Sequence, residues 1–209
     1  MSEPAPEPKR PPWKNPFVLA FVVGALFLTA MPFLQRKFLK APPPLKTLPP
    51  FSLELPDGGA FGSEQLQGQV WVASFTRDAC DPACGERQQA FGAMLKHLEA
   101  KNGAPIRLVT FALGSADAGT AAPTGTERWL RLTGRPEPLA AVVMGGFRDG
   151  FVHFTTADAG ASLEDFAEVP VLALVDQAGA LRGFWKDDQV GRGNVINAAL
   201  LLSRYGAQP

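Results

Sequence analysis

The sequence has few of the residues that cross-link small proteins or bind metals in them. Only two cysteines and two histidines occur in 209 residues, which argues against a disulfide-dense scaffold and against a closed tetrahedral zinc site. Basic residues are not in excess either, since 20 Lys and Arg balance 20 Asp and Glu. Because nucleic-acid binding depends on clustered Lys and Arg, we expect no nucleic-acid partner. Apolar residues make up 46% of the chain, enough for one globular domain.

Charge is absent from residues 17–34. A helix over this run would be about 27 Å long, close to the ~30 Å hydrocarbon core of a bilayer. The run exceeds the apolar core of a cleaved secretory signal and ends before Arg36 and Lys37. We therefore predict a short tail over residues 1–16 and a single-pass transmembrane signal-anchor over 17–34. The basic residues on its two sides nearly balance, so they do not set its orientation.

A proline-rich stretch follows the predicted anchor. Five of the ten residues in 41–50 are proline, a composition that favours an extended polyproline conformation. We predict a stiff linker over residues 35–50 that holds a folded domain, residues 51–209, away from the lipid.

The domain alternates between patterns typical of strands and of helices. Short apolar runs bounded by turn residues indicate strands, and apolar residues at helical spacing indicate helices. The predicted elements are a hairpin over 51–61, strands at 69–75, 106–113, 140–144 and 147–155, helices at 83–101, 124–133 and 190–204, and a hairpin over 169–185. This order predicts an α/β fold with a mixed sheet flanked by helices, for which the thioredoxin-like architecture is the simplest layout.

Both cysteines lie in one motif, Cys80-Asp81-Pro82-Ala83-Cys84. It follows a predicted buried strand and starts a predicted helix, so the two sulfurs can share one face of the first turn. A helix N-terminus favours thiolate over thiol. Two thiolates can form a disulfide reversibly or supply two soft ligands to Cu(I). A purely structural disulfide is the alternative, although closing so short a loop stabilises a fold little.

The order and spacing of several motifs resemble those of the Sco/SenC family. The matching segments are Phe51-Ser52-Leu53, Asp57-Gly58-Gly59, Leu66 to Val72, the Cys80/Cys84 motif, Trp129 to Gly134, and Val175 to Gly179. The resemblance implies a thioredoxin-like domain in the periplasm, anchored by one helix in the bacterial inner membrane. It also implies copper delivery or thiol reduction during assembly of the CuA centre of cytochrome c oxidase. The implied partner is the CuA subunit or another assembly factor.

The sequence departs from the family pattern at the third copper ligand. Sco proteins hold copper with two cysteines and a histidine from an Asp-His pair before the last hairpin, where this chain has Ala167 and Glu168. A carboxylate is a poor substitute for imidazole on Cu(I). The proline that usually follows the first cysteine of the family is also replaced, by Asp81.

Two histidines remain as candidates for that ligand. His97 follows Cys84 by thirteen residues on one predicted helix, about 20 Å along its axis, so we expect a surface residue. His153 falls on a predicted strand. It is either an outward-facing side chain or a displaced ligand that completes a copper site with Cys80 and Cys84.

Pro170 follows Val169 at the start of a predicted strand. Thioredoxin-like oxidoreductases carry a cis-proline in such a place, opposite the cysteines, where the exposed backbone can pair with a substrate chain. A trans proline at a strand start is the alternative. The cis assignment, together with the missing histidine, favours a copper-independent thiol-disulfide oxidoreductase in which Cys80 attacks and Cys84 resolves the mixed disulfide. An assembly adaptor with a structural disulfide is the third reading.

Overall fold

The computed structural model describes residues 16–38, 41–77, 82–100, 106–113, 128–154 and 163–206. The chain divides into two units, residues 1–40 and residues 41–209. In the first unit, helix α1 (Pro16–Phe38) includes the predicted anchor, and its large apolar side chains from Phe17 to Met31 are exposed. Within the described residues, no helix is both long enough and apolar enough to cross a membrane.

The second unit contains eight strands and six helices among its described residues. The strands are β1 (Lys46–Thr47), β2 (Ser52–Glu54), β3 (Ala60–Gly62), β4 (Val70–Arg77), β5 (Ile106–Leu113), β6 (Trp129–Leu132), β7 (Val171–Val175) and β8 (Ala180–Lys186). The helices are α2 (Ser63–Leu66), α3 (Pro82–Ala100), α4 (Pro136–Val142), α5 (Arg148–Phe154), α6 (Leu163–Glu168) and α7 (Gln189–Tyr205). A π-helical turn over Val143–Phe147 joins α4 to α5.

Six of the strands form one mixed sheet in the order β1-β8-β7-β4-β5-β6. Strands β4, β5 and β6 are parallel, and α3 lies between β4 and β5 in the chain. Strand β7 is antiparallel to β4 and forms a hairpin with β8. Strands β2 and β3 form a separate hairpin. The predicted class, an α/β fold with a mixed sheet between helices, is confirmed.

Side chains of β4 alternate between two apolar layers. Trp71 and Phe75 lie in the layer that includes Phe151 of α5. Val70 and Val72 lie in the opposite layer, which α3 and α7 cover. Because both faces of β4 are buried, the strand reads as an almost continuous apolar run, as expected for a central strand.

The predicted strands at 140–144 and 147–155 are wrong. Residues 136–154 are helical throughout, in α4, the π-helical turn and α5. Pro136 begins the segment, where its missing N–H costs no hydrogen bond. The buried side chains recur at helical spacing: Leu139, Val142, Val143, Phe147 and Phe151. The run of apolar and glycine residues has the composition of a strand, but packing against the sheet stabilises the helical conformation instead.

The predicted helix at 124–133 is also wrong where the structure describes it. Residues 129–132 form β6, which pairs in parallel with β5 and places Trp129 opposite Leu108. Residues 124–127 lie outside the described part of the chain. Pairing with β5 outweighs the local preference for helix.

Part of the segment predicted as a linker, residues 35–50, belongs to the folded unit. Residues 41–48, here called the strap, lie along the edge of the six-stranded sheet, where β1 pairs with β8 in antiparallel fashion. The Leu45 N–H donates to the Leu181 carbonyl at 2.8 Å. The strap is therefore an edge strand of the domain, and prolines are tolerated there because an edge strand needs few ladder donors.

Candidate functional site

The cysteine motif joins the C-terminal end of β4 to the N-terminal turn of α3. Cys80 lies outside the described residues, and Cys84 is the third residue of α3. Position 84 lies seven residues before Phe91, so the two positions share one face of the helix. Phe91 is buried against the sheet, and its ring lies 5.5 Å from that of Trp129.

An aromatic cluster packs under the end of β4 on the opposite face of the sheet. The Phe75 ring stacks on Phe111 at 5.6 Å and meets Phe147 and Phe151 edge-on at 5.2 and 4.7 Å. Phe166 of α6 lies 4.5 Å from Phe151. Such aromatic pairs add about 0.5–1.5 kcal/mol each beyond their buried area. The cluster fixes the end of β4, the strand that precedes the cysteine motif in the sequence.

A row of polar side chains crosses the α3-facing side of the sheet. The Trp129 indole N–H donates to Thr110 Oγ1 at 3.0 Å, and Thr110 Oγ1 lies 2.9 Å from Ser74 Oγ. The three residues belong to β6, β5 and β4 in that order. Sequence reasoning missed this row, because only the strand register places the three side chains beside one another.

The peptide bond before Pro170 is trans, since the described residues contain no cis peptide bond. The predicted cis-proline is therefore wrong. The Val171 N–H donates to the Val169 carbonyl at 2.8 Å, which closes a tight turn around Pro170. The Pro170 carbonyl accepts from the Asp187 N–H at 2.7 Å. Pro170 thus lies directly before β7.

The two histidines are both exposed. His97 lies on α3, as expected for a surface residue. His153 lies in the last turn of α5, with its ring 5.0 Å from that of Phe154. Phe151, two residues earlier, packs against Phe75 at 4.7 Å, and positions two apart on a helix point in nearly opposite directions. His153 therefore points away from β4, which favours the outward-facing reading over the displaced ligand.

The donor set fits Cu(I) only in part. Two cysteine thiolates are the soft ligands that Cu(I) selects. Cys80 and the Cys84 side chain lie outside what the structure describes, and among the side chains it does describe no group of three or more His, Cys, Asp or Glu is placed to hold a metal ion. Ala167 and Glu168, which stand where the family has its Asp-His pair, are the last two residues of α6. The third ligand of the family pattern is thus missing from its place.

The mixed sheet flanked by helices is consistent with a thioredoxin-like fold. No model of a known protein family matches the sequence, and no curated protein matches it. Solved structures do match.

The matching structures include Sco-family proteins. BsSco, a member of the Sco family of cytochrome c oxidase assembly proteins that contains a disulfide switch, is 19% identical with a TM-score of 0.60 over 78% of this chain and 96% of its own. A SCO1/SenC family lipoprotein from Bacillus anthracis is 21% identical with a TM-score of 0.58 over 75% and 95%. Copper-bound ScoI from Arabidopsis thaliana is 17% identical with a TM-score of 0.53 over 72% and 97%. The resemblance to Sco/SenC proteins is thereby confirmed at the level of the fold.

Proposed function

We propose that this protein is a Sco-like assembly factor that acts through Cys80 and Cys84 in thiol-disulfide exchange and copper delivery to the CuA centre of cytochrome c oxidase. The observation that carries the proposal is the place of the cysteine motif, between the end of the central strand β4 and the first turn of α3. The client is the CuA subunit or another assembly factor.

In the redox reaction, the Cys80 thiolate attacks a disulfide of the client. One client sulfur leaves as a thiolate, and a mixed disulfide joins Cys80 to the other. The Cys84 thiolate then attacks Cys80, which releases the second client sulfur and leaves a Cys80–Cys84 disulfide. The client gains two electrons, and the pair loses two. Cys80 is the proposed attacking residue because it precedes α3 in the sequence, and Cys84, the third residue of α3, is the proposed resolving residue.

Copper is the cargo in the second activity, held as Cu(I) by the reduced pair. A third ligand from His153 would require α5 to turn its exposed face toward the cysteines. The absence of the family histidine therefore favours thiol-disulfide exchange as the main activity, with copper bound by the two thiolates alone.

The proposed location is the inner membrane of a bacterium, with residues 17–34 as a single-pass anchor and the thioredoxin-like domain in the periplasm. The support is the charge-free run and the exposed apolar side chains of α1.

A Cu(I) titration of the reduced full-length protein against a chromogenic chelator tests the copper activity. One-to-one binding that is lost in the Cys80→Ser/Cys84→Ser variant would support it. His153→Ala should bind as the wild type does, with His97→Ala as the matched control for loss of an exposed histidine. If the reduced protein cannot compete with the chelator, the proposed copper activity is wrong. Thiol-disulfide exchange is then the remaining proposed activity.

Trapping of a mixed disulfide tests the redox activity. Cys84→Ser should accumulate a covalent adduct with a disulfide-bonded CuA-subunit peptide through Cys80, whereas Cys80→Ser should not. If neither variant forms an adduct, the proposed redox reaction is wrong. The result would then favour an assembly adaptor with a structural disulfide.

A further inference from the structure

A crevice of about 170 Å³ lies near the first residues of β4. Its walls come from the end of the strap and the residues after it, from the α2 region and from the turn between β7 and β8, and Trp71 is part of its lining. Strand β4 ends six residues later, at Arg77, and six strand residues span about 20 Å. The crevice is therefore well separated from the end of β4 that precedes the cysteine motif.

Hydrogen bonds hold the walls of the crevice together. The Leu48 N–H donates to the Gly179 carbonyl at 3.0 Å, which joins the strap to the hairpin turn. The Phe51 N–H donates to Ser63 Oγ at 3.2 Å, and the Ser63 N–H donates to the Phe51 carbonyl at 3.0 Å. The Phe51 ring also meets the Trp71 ring edge-on at 6.5 Å. The crevice is thus a preformed site, which lowers the ordering cost of binding.

The lining indicates the chemical class of the occupant. None of the described residues that line the crevice carries a charged side chain, so a charged group would lose its hydration there without a counter-charge. Leu48, Pro50, Phe51 and Leu66 supply apolar surface. An apolar cavity of about 150 Å³ holds a benzene molecule, so this crevice matches one six-membered ring in size. An aromatic ring in it can also pair with Phe51.

The size of the crevice favours a side chain over a free compound. Pockets that bury drug-sized ligands have volumes of about 300–1,000 Å³. A free one-ring compound must offset its whole loss of translational and rotational freedom with the contacts of one ring, whereas a side chain shares that cost with the rest of an interface. The crevice also borders an edge of the sheet, because Thr47 of β1 lines it and no described strand pairs with the outer side of β1. An extended segment can add to such an edge and place a side chain in a neighbouring pocket.

We propose that the crevice receives one uncharged aromatic side chain, phenylalanine or tyrosine, from an extended segment of a protein partner. The ring is the anchor of the interface, the kind of buried contact that supplies most of the binding energy in protein complexes. The inference goes beyond the proposed function, because neither the crevice nor its test involves the cysteines.

The test is fluorine NMR of a blocked tripeptide, para-fluorophenylalanine between two threonines, titrated with the full-length protein. The signal should broaden in a saturable way. Ala178→Phe adds a ring to the hairpin-turn wall of the crevice and should weaken binding by at least about tenfold, as loss of an anchor does. Gln67→Phe, which adds a ring beside α2, should weaken binding in the same way. The matched control is Ala100→Phe, which adds a ring to the exposed last residue of α3 and should leave the affinity unchanged.

Comparison ligands test the identity of the occupant. An unlabelled tripeptide with a central phenylalanine should displace the probe, whereas one with a central lysine should not. Fluorobenzene should bind at least about tenfold more weakly than the tripeptide, because it cannot pair with the edge of β1. Equal affinities would mean that the site takes a free compound, which overturns the inference. The inference is also overturned if the tripeptide does not bind, or if Ala178→Phe and Gln67→Phe, folded by circular dichroism, bind it as the wild type does.

Discussion

The carboxylate of Asp176 is fully buried and organises the hairpin between β7 and β8. One oxygen accepts from the N–H groups of Ala178 and Ala180 at 2.9 and 2.8 Å, and the other accepts from Arg182 Nε at 2.6 Å. Gly179 has a φ of 77°, which few other residues adopt at low cost. Apolar runs bounded by turn residues predicted this hairpin. No local pattern predicted that the Arg182 side chain would be buried beside the carboxylate.

Replacing Asp176 with Asn should destabilise the protein strongly. The change leaves the buried Arg182 charge without its partner, and breaking a buried ion pair from one side costs about 3–5 kcal/mol. Urea unfolding monitored by circular dichroism measures the loss. The matched control is Asp149→Asn, which removes the 2.8 Å ion pair with Lys46 from a side chain that is 72% exposed, and it should cost below about 1 kcal/mol. Similar losses in the two variants would contradict this account of Asp176.

In the helical segment from α4 through α5, sequence patterns predict the wrong secondary structure. Its apolar and glycine-rich run predicted two strands, because glycine weakens the helix signal and Val, Met and Phe are compatible with both structures. The glycines serve close packing instead. A Cβ at Gly146 would lie 2.9 Å from Leu48 Cδ2 of the strap, and a Cβ at Gly150 would overlap the ring of Phe184. These contacts depend on neighbours distant in the chain, so local reasoning could not find them.

Opposite effects on stability should therefore follow from glycine-to-alanine changes in two helices. Gly150→Ala should destabilise the protein by about 1–2 kcal/mol, because overpacking against Phe184 exceeds the gain in helix propensity. Gly193→Ala in α7 should stabilise it by up to about 1 kcal/mol, because a Cβ there meets nothing within 4 Å. Urea unfolding of each variant gives its change in the free energy of unfolding relative to the wild type. A stabilised Gly150→Ala would show that the segment is not packed as described.

At the scale of the whole molecule, the folded domain begins ten residues earlier than predicted. Besides pairing with β8, the strap forms two further hydrogen bonds with the domain. Arg182 Nη1 donates to the Pro42 carbonyl at 3.0 Å, and the Leu48 N–H donates to the Gly179 carbonyl at 3.0 Å. Proline content predicted a spacer, and composition cannot reveal that an extended segment has a sheet edge beside it.

Removing the strap should destabilise the domain. A chain that starts at Phe51 should unfold at lower urea concentration than one that starts at Ala41, with a loss of about 2–4 kcal/mol from several hydrogen bonds and the exposed edge of β8. Tryptophan fluorescence during urea titration measures the difference. Identical unfolding curves would mean that the strap is a linker after all.

Sequence reasoning reached the mixed sheet, the β4–α3–β5 unit, both hairpins and the cysteine motif because these have local signatures. Apolar runs mark the central strands, turn residues mark the hairpins, and four-residue spacing marks the cysteines. It did not reach the Ser74, Thr110 and Trp129 row, which depends on register between three strands. The cis isomer expected before Pro170 is wrong, because the isomer of a proline depends on neighbours distant in the chain, such as Asp187, which donates to the Pro170 carbonyl.

Cys80 and Cys84 are proposed to form a reversible dithiol-disulfide couple. The most direct test equilibrates the full-length protein in a series of dithiol-disulfide buffers and counts alkylated cysteines by mass spectrometry. We expect both cysteines to become alkylated together in one two-electron transition, at a potential above about −300 mV. Structural disulfides have potentials below about that value. A pair that stays oxidised throughout, or two cysteines that react independently of the buffer, would contradict it.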